Sequence, residues 1–214
     1  MIKITGIMRK ILFFLAVLFC TNVALAQEVV DYYAGDIVVG DKYEYKLYKY
    51  GNSLSLRNTA DIEYIIKNGQ KQFIITTGFE NVIKFSNPNV VIEAIETVFS
   101  KVEILEMAKA CVEFKKSYRS DNFKTSFFYS FNPDVDKNGK IVNLSISFNN
   151  CDVMRNVPPQ KIEQLEDYIK KNAVYTIKSK EFAERLQIIS AQPIEVDVNN
   201  TDYSFELMYD TNKY

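Results

Sequence analysis

The chain reads as an α+β protein, an antiparallel sheet built from hairpins and covered on one face by two main helices. Three observations predict this. Apolar-rich runs from Phe127 to Phe148 flank Asp136-Lys137-Asn138-Gly139. Asn-Gly between such runs signals a hairpin, because both residues tolerate positive φ. Val91, Ile95, Val98, Val102 and Leu105 recur at helical spacing after Asn87-Pro88, a cap and a first-turn proline. Ile162, Leu165 and Ile169 repeat that pattern behind Pro158-Pro159.

The elements follow in order. Residues 27–40 read as a lead-in. Tyr43, Tyr45 and Leu47 alternate with Glu44, Lys46 and Tyr48, the period of a half-exposed strand. Gly51-Asn52 turns it into Leu54-Ser55-Leu56. Ile62–Ile66 and Phe73–Thr77 flank Asn68-Gly69 and read as a second hairpin. The first flank, Asp61–Lys67, also fits a short helix, since short apolar runs satisfy both periods. Val82, Ile83 and Phe85 add a strand. The first main helix spans about 88–115, with a break near Ser100 left open.

After the central hairpin, the second main helix spans about 159–171. Glu163 is placed in its first turn and Lys170 and Lys171 in its last, where each complements the helix dipole. Asn172 is a terminator. Val174–Ile177 reads as a strand, and Ser179 caps a short helix over about 180–187, with Phe182 and Leu186 inward. Ile194, Val196 and Val198 then face Tyr203, Phe205, Leu207 and Tyr209 in a closing hairpin.

The start of the chain carries a targeting pattern. Arg9 and Lys10 precede the apolar run Ile11–Phe19, and Ala24-Leu25-Ala26 precedes Gln27. A basic end, a short apolar core and an A-x-A site make a secretory signal peptide over 1–26, cut between Ala26 and Gln27. The run is shorter than the roughly 20 residues of a membrane span, so none is expected once the signal is removed. Met8 is an alternative start. A lipoprotein signal ending at Cys20 is a second reading, with Phe19 where lipid attachment needs a small residue. The expected organisation is a signal peptide followed by one α+β domain over 27–214, with a sub-boundary near 118–124 left open. The expected location is the periplasm or the exterior.

The 214 residues carry a net charge of -1, and a nucleic-acid partner would need a basic face. The chain contains no His, which removes Ser-His-Asp and Cys-His catalysis and the commonest metal ligand. Ser-x-x-Lys, Gly-x-Gly and Cys-x-x-Cys are also missing. No catalytic residue, metal ligand or cofactor is therefore assigned. Carboxylate-pair chemistry survives this elimination, so a glycan hydrolase stands as an alternative, with two acids about 5 to 10 Å apart across a cleft.

Three further features have two readings each. Cys111 and Cys151 are either a disulfide, which an oxidising compartment permits, or two buried thiols. Asp134-Val135-Asp136-Lys137-Asn138-Gly139 opens like a calcium loop, but its twelfth position is Ser145 where that loop needs Glu. The same residues suit a tight turn. The early tyrosines are either a sugar-stacking platform or a strand with one wet face.

The order of strand, Asp-Lys-Asn-Gly turn, strand, capped helix and strand over Phe127–Ile177 resembles the carboxy-terminal domain of TonB-type energy transducers. Ile194–Tyr209 continues that resemblance. It implies a similar fold unit and carries over no functional residue, because the Pro-rich spacer and Tyr-Pro pair of that family are missing. The whole chain is similar to short secreted proteins of unknown function from Gram-negative gut bacteria. The functional expectation is an exported envelope module that binds a protein or glycan, with Tyr203–Tyr209 as an edge strand for a partner. A calcium-stabilised module is the further alternative.

Overall fold

A computed structural model describes residues 31–68, 72–74, 83–117, 127–179, 181, 188–191 and 194–197. The chain divides into residues 1–30 and 31–214, and the description concerns the second unit. Its strands are β1 (Ile37–Val39), β2 (Glu44–Tyr50), β3 (Ser53–Asn58), β4 (Gln72–Ile74), β5 (Ile83–Phe85), β6 (Phe127–Asp136), β7 (Ile141–Asn149), β8 (Tyr175–Ile177), β9 (Ile188–Ser190) and β10 (Ile194–Asp197). Its helices are α1 (Thr59–Asn68), α2 (Val90–Val98), α3 (Lys101–Ser117), α4 (Asp152–Arg155) and α5 (Pro159–Asn172).

One eight-stranded sheet runs β1-β2-β3-β7-β6-β9-β4, with β10 also on β6. β6 is long enough to hold two short partners on one edge. β10 lies beside its first half and β9 beside its end. The pairings are antiparallel except β4 with β9, which run parallel. The α+β class and the hairpin-built sheet are thus present, with a parallel pair at one margin. β5 and β8 form a separate antiparallel ribbon. The strand–turn–strand–helix–strand order of 127–177 is present too, although β8 leaves the main sheet to join β5.

The central hairpin forms where Asn-Gly placed it. Asp136 Oδ1 accepts the N–H groups of Asn138 (2.8 Å) and Lys140 (3.0 Å). Gly139 has φ 85°, in the left-handed region. A Cβ there would also lie 2.1 Å from the Tyr175 carbonyl oxygen, so glycine is required twice over.

The expected first helix is two helices. Phe99 is extended, and Ser100 restarts the chain. Its hydroxyl accepts the Glu103 N–H (3.3 Å), while Glu103 accepts the Ser100 N–H (2.9 Å), a capping box. The phase therefore resets. Val102, placed on the expected buried stripe, is exposed, and Ile104, Met107, Ala108 and Cys111 are buried instead. Asn87 does not cap α2. Its amide bridges the Asn172 carbonyl (2.7 Å) and the Val174 N–H (2.9 Å), closing the end of α5.

The second expected hairpin is corrected. Residues Thr59–Asn68 form helix α1, started by Asn58 Oδ1 accepting the Ala60 N–H (3.0 Å). The helical alternative was right because the sheet ends at Asn58, and Asp61 then accepts the Leu144 N–H (3.4 Å) of β7. α5 starts at Pro159 as expected and buries Ile162, Leu165 and Ile169. Glu163 lies past the first turn of α5, not within it. It is buried and accepts the N–H groups of Lys42 (2.9 Å) and Tyr43 (2.7 Å). α4 had no sequence signal strong enough to place it.

The core lies between the sheet and the helices. Tyr45, Leu47, Leu54, Leu56, Phe131, Leu144, Ile146 and Phe148 lie in one buried cluster, with α1 and α5 packed on their strands. The 180–187 helix, the 118–124 sub-boundary and the Tyr203–Tyr209 strand lie outside the described residues.

Candidate functional site

Strand alternation determines what faces away from the helices. In β2, Tyr45 and Leu47 go into the core, so Lys46, Tyr48 and Tyr50 stand on the outer face. In β3, Leu54 and Leu56 go in, and Ser53, Ser55 and Arg57 stand out. The register then makes neighbours. Lys46 is opposite Arg57, Tyr48 opposite Ser55, and Tyr50 opposite Ser53. β1 adds Ile37 beside Lys46 and Val39 beside Glu44.

This arrangement gathers cations around an aromatic pair. Lys46 Nζ lies 5.5 Å from the Tyr48 ring centre and the Arg57 guanidinium carbon 5.6 Å from it. Both are within the range at which a ring face attracts a cation. Tyr48 and Tyr50 have centroids 6.2 Å apart and planes within 7°. Tyr50 is 60% exposed. Lys46 and Arg57 are exposed as well, and Glu44 is the acid on the same face. The tyrosine reading of the sequence thus splits. Tyr48 and Tyr50 are outward. Tyr45 is buried, and Tyr43 is half-buried with its hydroxyl on Asp167 (2.8 Å). That bond, with some burial, pushes the Tyr43 hydroxyl up to about 12. Arg57 was missed because its role depends on cross-strand register, which local sequence does not show.

The outer face becomes hydroxyl-rich and closed toward β7 and β6. Ser55 Oγ lies 2.9 Å from Ser145 Oγ, and Ser147 donates to Ser55 (3.0 Å). Beyond them Asn143 donates to Asp134 (2.6 Å), as does Ser190. Ser55, Ser145, Asn143 and Asp134 are all buried. Asp134 and Asp136 therefore serve the sheet and the turn respectively. Among the described residues, no group of three or more metal-type side chains forms.

A second polar cluster sits under α5. Lys170 Nζ lies 2.6 Å from both Asp61 Oδ2 and Glu166 Oε1. Tyr45 donates to Glu166 Oε2 (2.7 Å), and Asn58 donates to Glu166 Oε1 (3.2 Å). Burial raises the Glu166 carboxyl above its ordinary range, and the Lys170 charge and the Tyr45 hydroxyl offset part of that. Burial pulls Lys170 down, but Glu166 and Asp61 outweigh it and leave the amine raised. Asp61 and Glu166 thus come together as a carboxylate pair with an ammonium between them. The Glu166 side chain is 0% exposed. That is the geometry of a closed structural network, since both acids already share a cation.

Cys111 and Cys151, far apart in sequence, are brought together. Both are free thiols, Cys111 buried and Cys151 half-buried, at two helices that pack together, and each shifts the other's acidity. Ala26 and Gln27 lie outside the described residues. No described helix is long and apolar enough to cross a membrane.

No family model matches the chain, and no curated protein matches it. Among solved structures it is similar to a DUF5043 family protein from Bacteroides uniformis ATCC 8492, at 16% sequence identity and a TM-score of 0.53. The similarity covers 78% of this chain and 88% of that one. At that identity it shows a shared fold with an uncharacterised bacterial domain.

Proposed function

We propose that this chain is an exported binding module of the cell envelope that holds an acidic glycan on the outer face of β1 to β3. One observation carries the reading: the cross-strand pair Lys46 and Arg57 both lie by the Tyr48 ring, with the parallel ring of Tyr50 open to solvent beside it. An exposed ring offers its face to the C–H side of a sugar. The two cations beside it pair with a uronate or sulfate on the same chain. Export rests on Arg9, Lys10, the run Ile11–Phe19 and the Ala26/Gln27 site. Envelope polysaccharides are then the acidic polymers within reach. No enzymatic step is proposed.

Titration calorimetry with a polyuronate and with a neutral dextran tests the ligand. The polyuronate binds and the dextran does not. Arg57→Ala and Tyr50→Ala each weaken binding about tenfold, the loss of roughly 1.4 kcal/mol expected when one charged or stacking contact goes. Added salt weakens the wild type and affects Arg57→Ala less. Equal binding of both polymers, or full affinity in both variants, sinks the proposal. Amino-terminal sequencing of the envelope fraction tests export separately and is expected to begin at Gln27.

A further inference from the structure

Cys111 lies on the buried side of α3, 1% exposed. Cys151 immediately precedes α4, at the corner where β7 ends, and is partly buried against the same core. α3 and α4 pack on one another. The fold thus presents two thiols from remote parts of the chain to each other, while their backbones are held by separate elements. Both are free thiols in the same core, and a disulfide needs their Cβ atoms to face one another across a short gap.

We propose that Cys111 and Cys151 close an intramolecular disulfide that ties α3 to the β7–α4 corner when the chain meets a disulfide oxidant. Cys151 attacks first. Its thiol is the less buried and so the more accessible to an oxidant, and its acidity is increased by Cys111 and by the Met154 N–H. The Cys111 thiol is raised by the same interaction and by burial, so it resolves the intermediate. In the first step the Cys151 thiolate attacks one sulfur of an oxidant R–S–S–R and releases one thiolate. In the second, Cys111 loses its proton and attacks the Cys151 sulfur, releasing the other. The protein loses two hydrogens and two electrons, and the oxidant becomes two thiols.

The full chain is incubated, folded, with glutathione disulfide, then alkylated and mapped by mass spectrometry, with Cys20 followed in the same map. The expected product is a Cys111–Cys151 cross-linked peptide and a mass lower by about 2 Da, the two hydrogens lost. Reductant then lowers Tm on the order of 10 °C, because the bridge constrains a loop of about 40 residues in the unfolded chain. Cys111→Ala is expected to stop at a glutathione adduct on Cys151. The peptide map of the wild type stands without that variant should it fold poorly. Two alkylated thiols after oxidation, or a stable adduct on wild-type Cys151 without the cross-link, would overturn the proposal. Neither result bears on the glycan surface, which lies on the other side of the sheet.

Discussion

Replacing Lys170 with methionine removes the single cation shared by Glu166 and Asp61. In the folded protein its amine is 2.6 Å from each carboxylate, with the Glu166 side chain 0% and the Asp61 side chain 14% exposed. Methionine fills similar volume, so packing loss is small. What remains is a buried carboxylate held only by the neutral donors Tyr45 and Asn58. Breaking a buried pair from one side costs about 3–5 kcal/mol. At roughly 2–4 °C per kcal/mol for a domain of this size, Tm falls about 6–20 °C. Thermal unfolding followed by circular dichroism, with urea midpoints beside it, measures this. The pH dependence is diagnostic. The Glu166 carboxyl is raised in the fold, so its contribution is complete below the unfolded value of 4.5 and is lost as pH rises through the folded value. Without Lys170 the folded value climbs further, so the penalty is largest near neutrality and shrinks toward pH 4. In the wild type the Lys170 contribution is held below 10.5 and lost as pH rises through its own raised value. A penalty below about 1 kcal/mol at neutral pH, or one equal at pH 4 and pH 7, refutes the uncompensated-charge reasoning.

Three further outcomes are expected. Gly139→Ala combines a φ of 85° with a Cβ placed 2.1 Å from the Tyr175 carbonyl, and lowers stability by about 2 kcal/mol or more. Gly51→Ala has a φ of 54° with nothing within 4 Å, so its urea midpoint shifts by only about half as much. A calcium chelator leaves Tm unchanged, because Asp136 Oδ1 is taken by the turn and Asp134 by Asn143 and Ser190. A chelator-dependent drop would revive the calcium loop.

Local chemistry was legible where one element decides it. The 136–139 turn, the α5 start at Pro159, the α5 stripe and the alternation of β2 all follow from residues near in sequence, since turn φ values and helical or strand periods are local. The Ser100–Glu103 capping box was equally legible, yet the apolar spacing through Val102 masked it. Misreadings came where a distant partner wins. Asn87 looked like a cap for α2 but is taken by the end of α5. Glu163 looked like a dipole partner but is taken by the amides of Lys42 and Tyr43. Residues 59–68 took the helical of the two readings, capped where β3 ends at Asn58.

By itself the sequence determined the fold class, the hairpin around Asn138-Gly139 and the buried face of α5, because these depend on backbone preference and on apolar spacing along one segment. It also narrowed the chemistry by lacking histidine. Only the tertiary structure decided which side chains meet. The register of β2 on β3 puts Arg57 over Tyr48, the packing of α5 puts Lys170 between Asp61 and Glu166, and the packing of α4 on α3 brings Cys151 and Cys111 into one core. Those meetings join residues from separate segments. They depend on how the chain closes on itself, which no short stretch of it specifies.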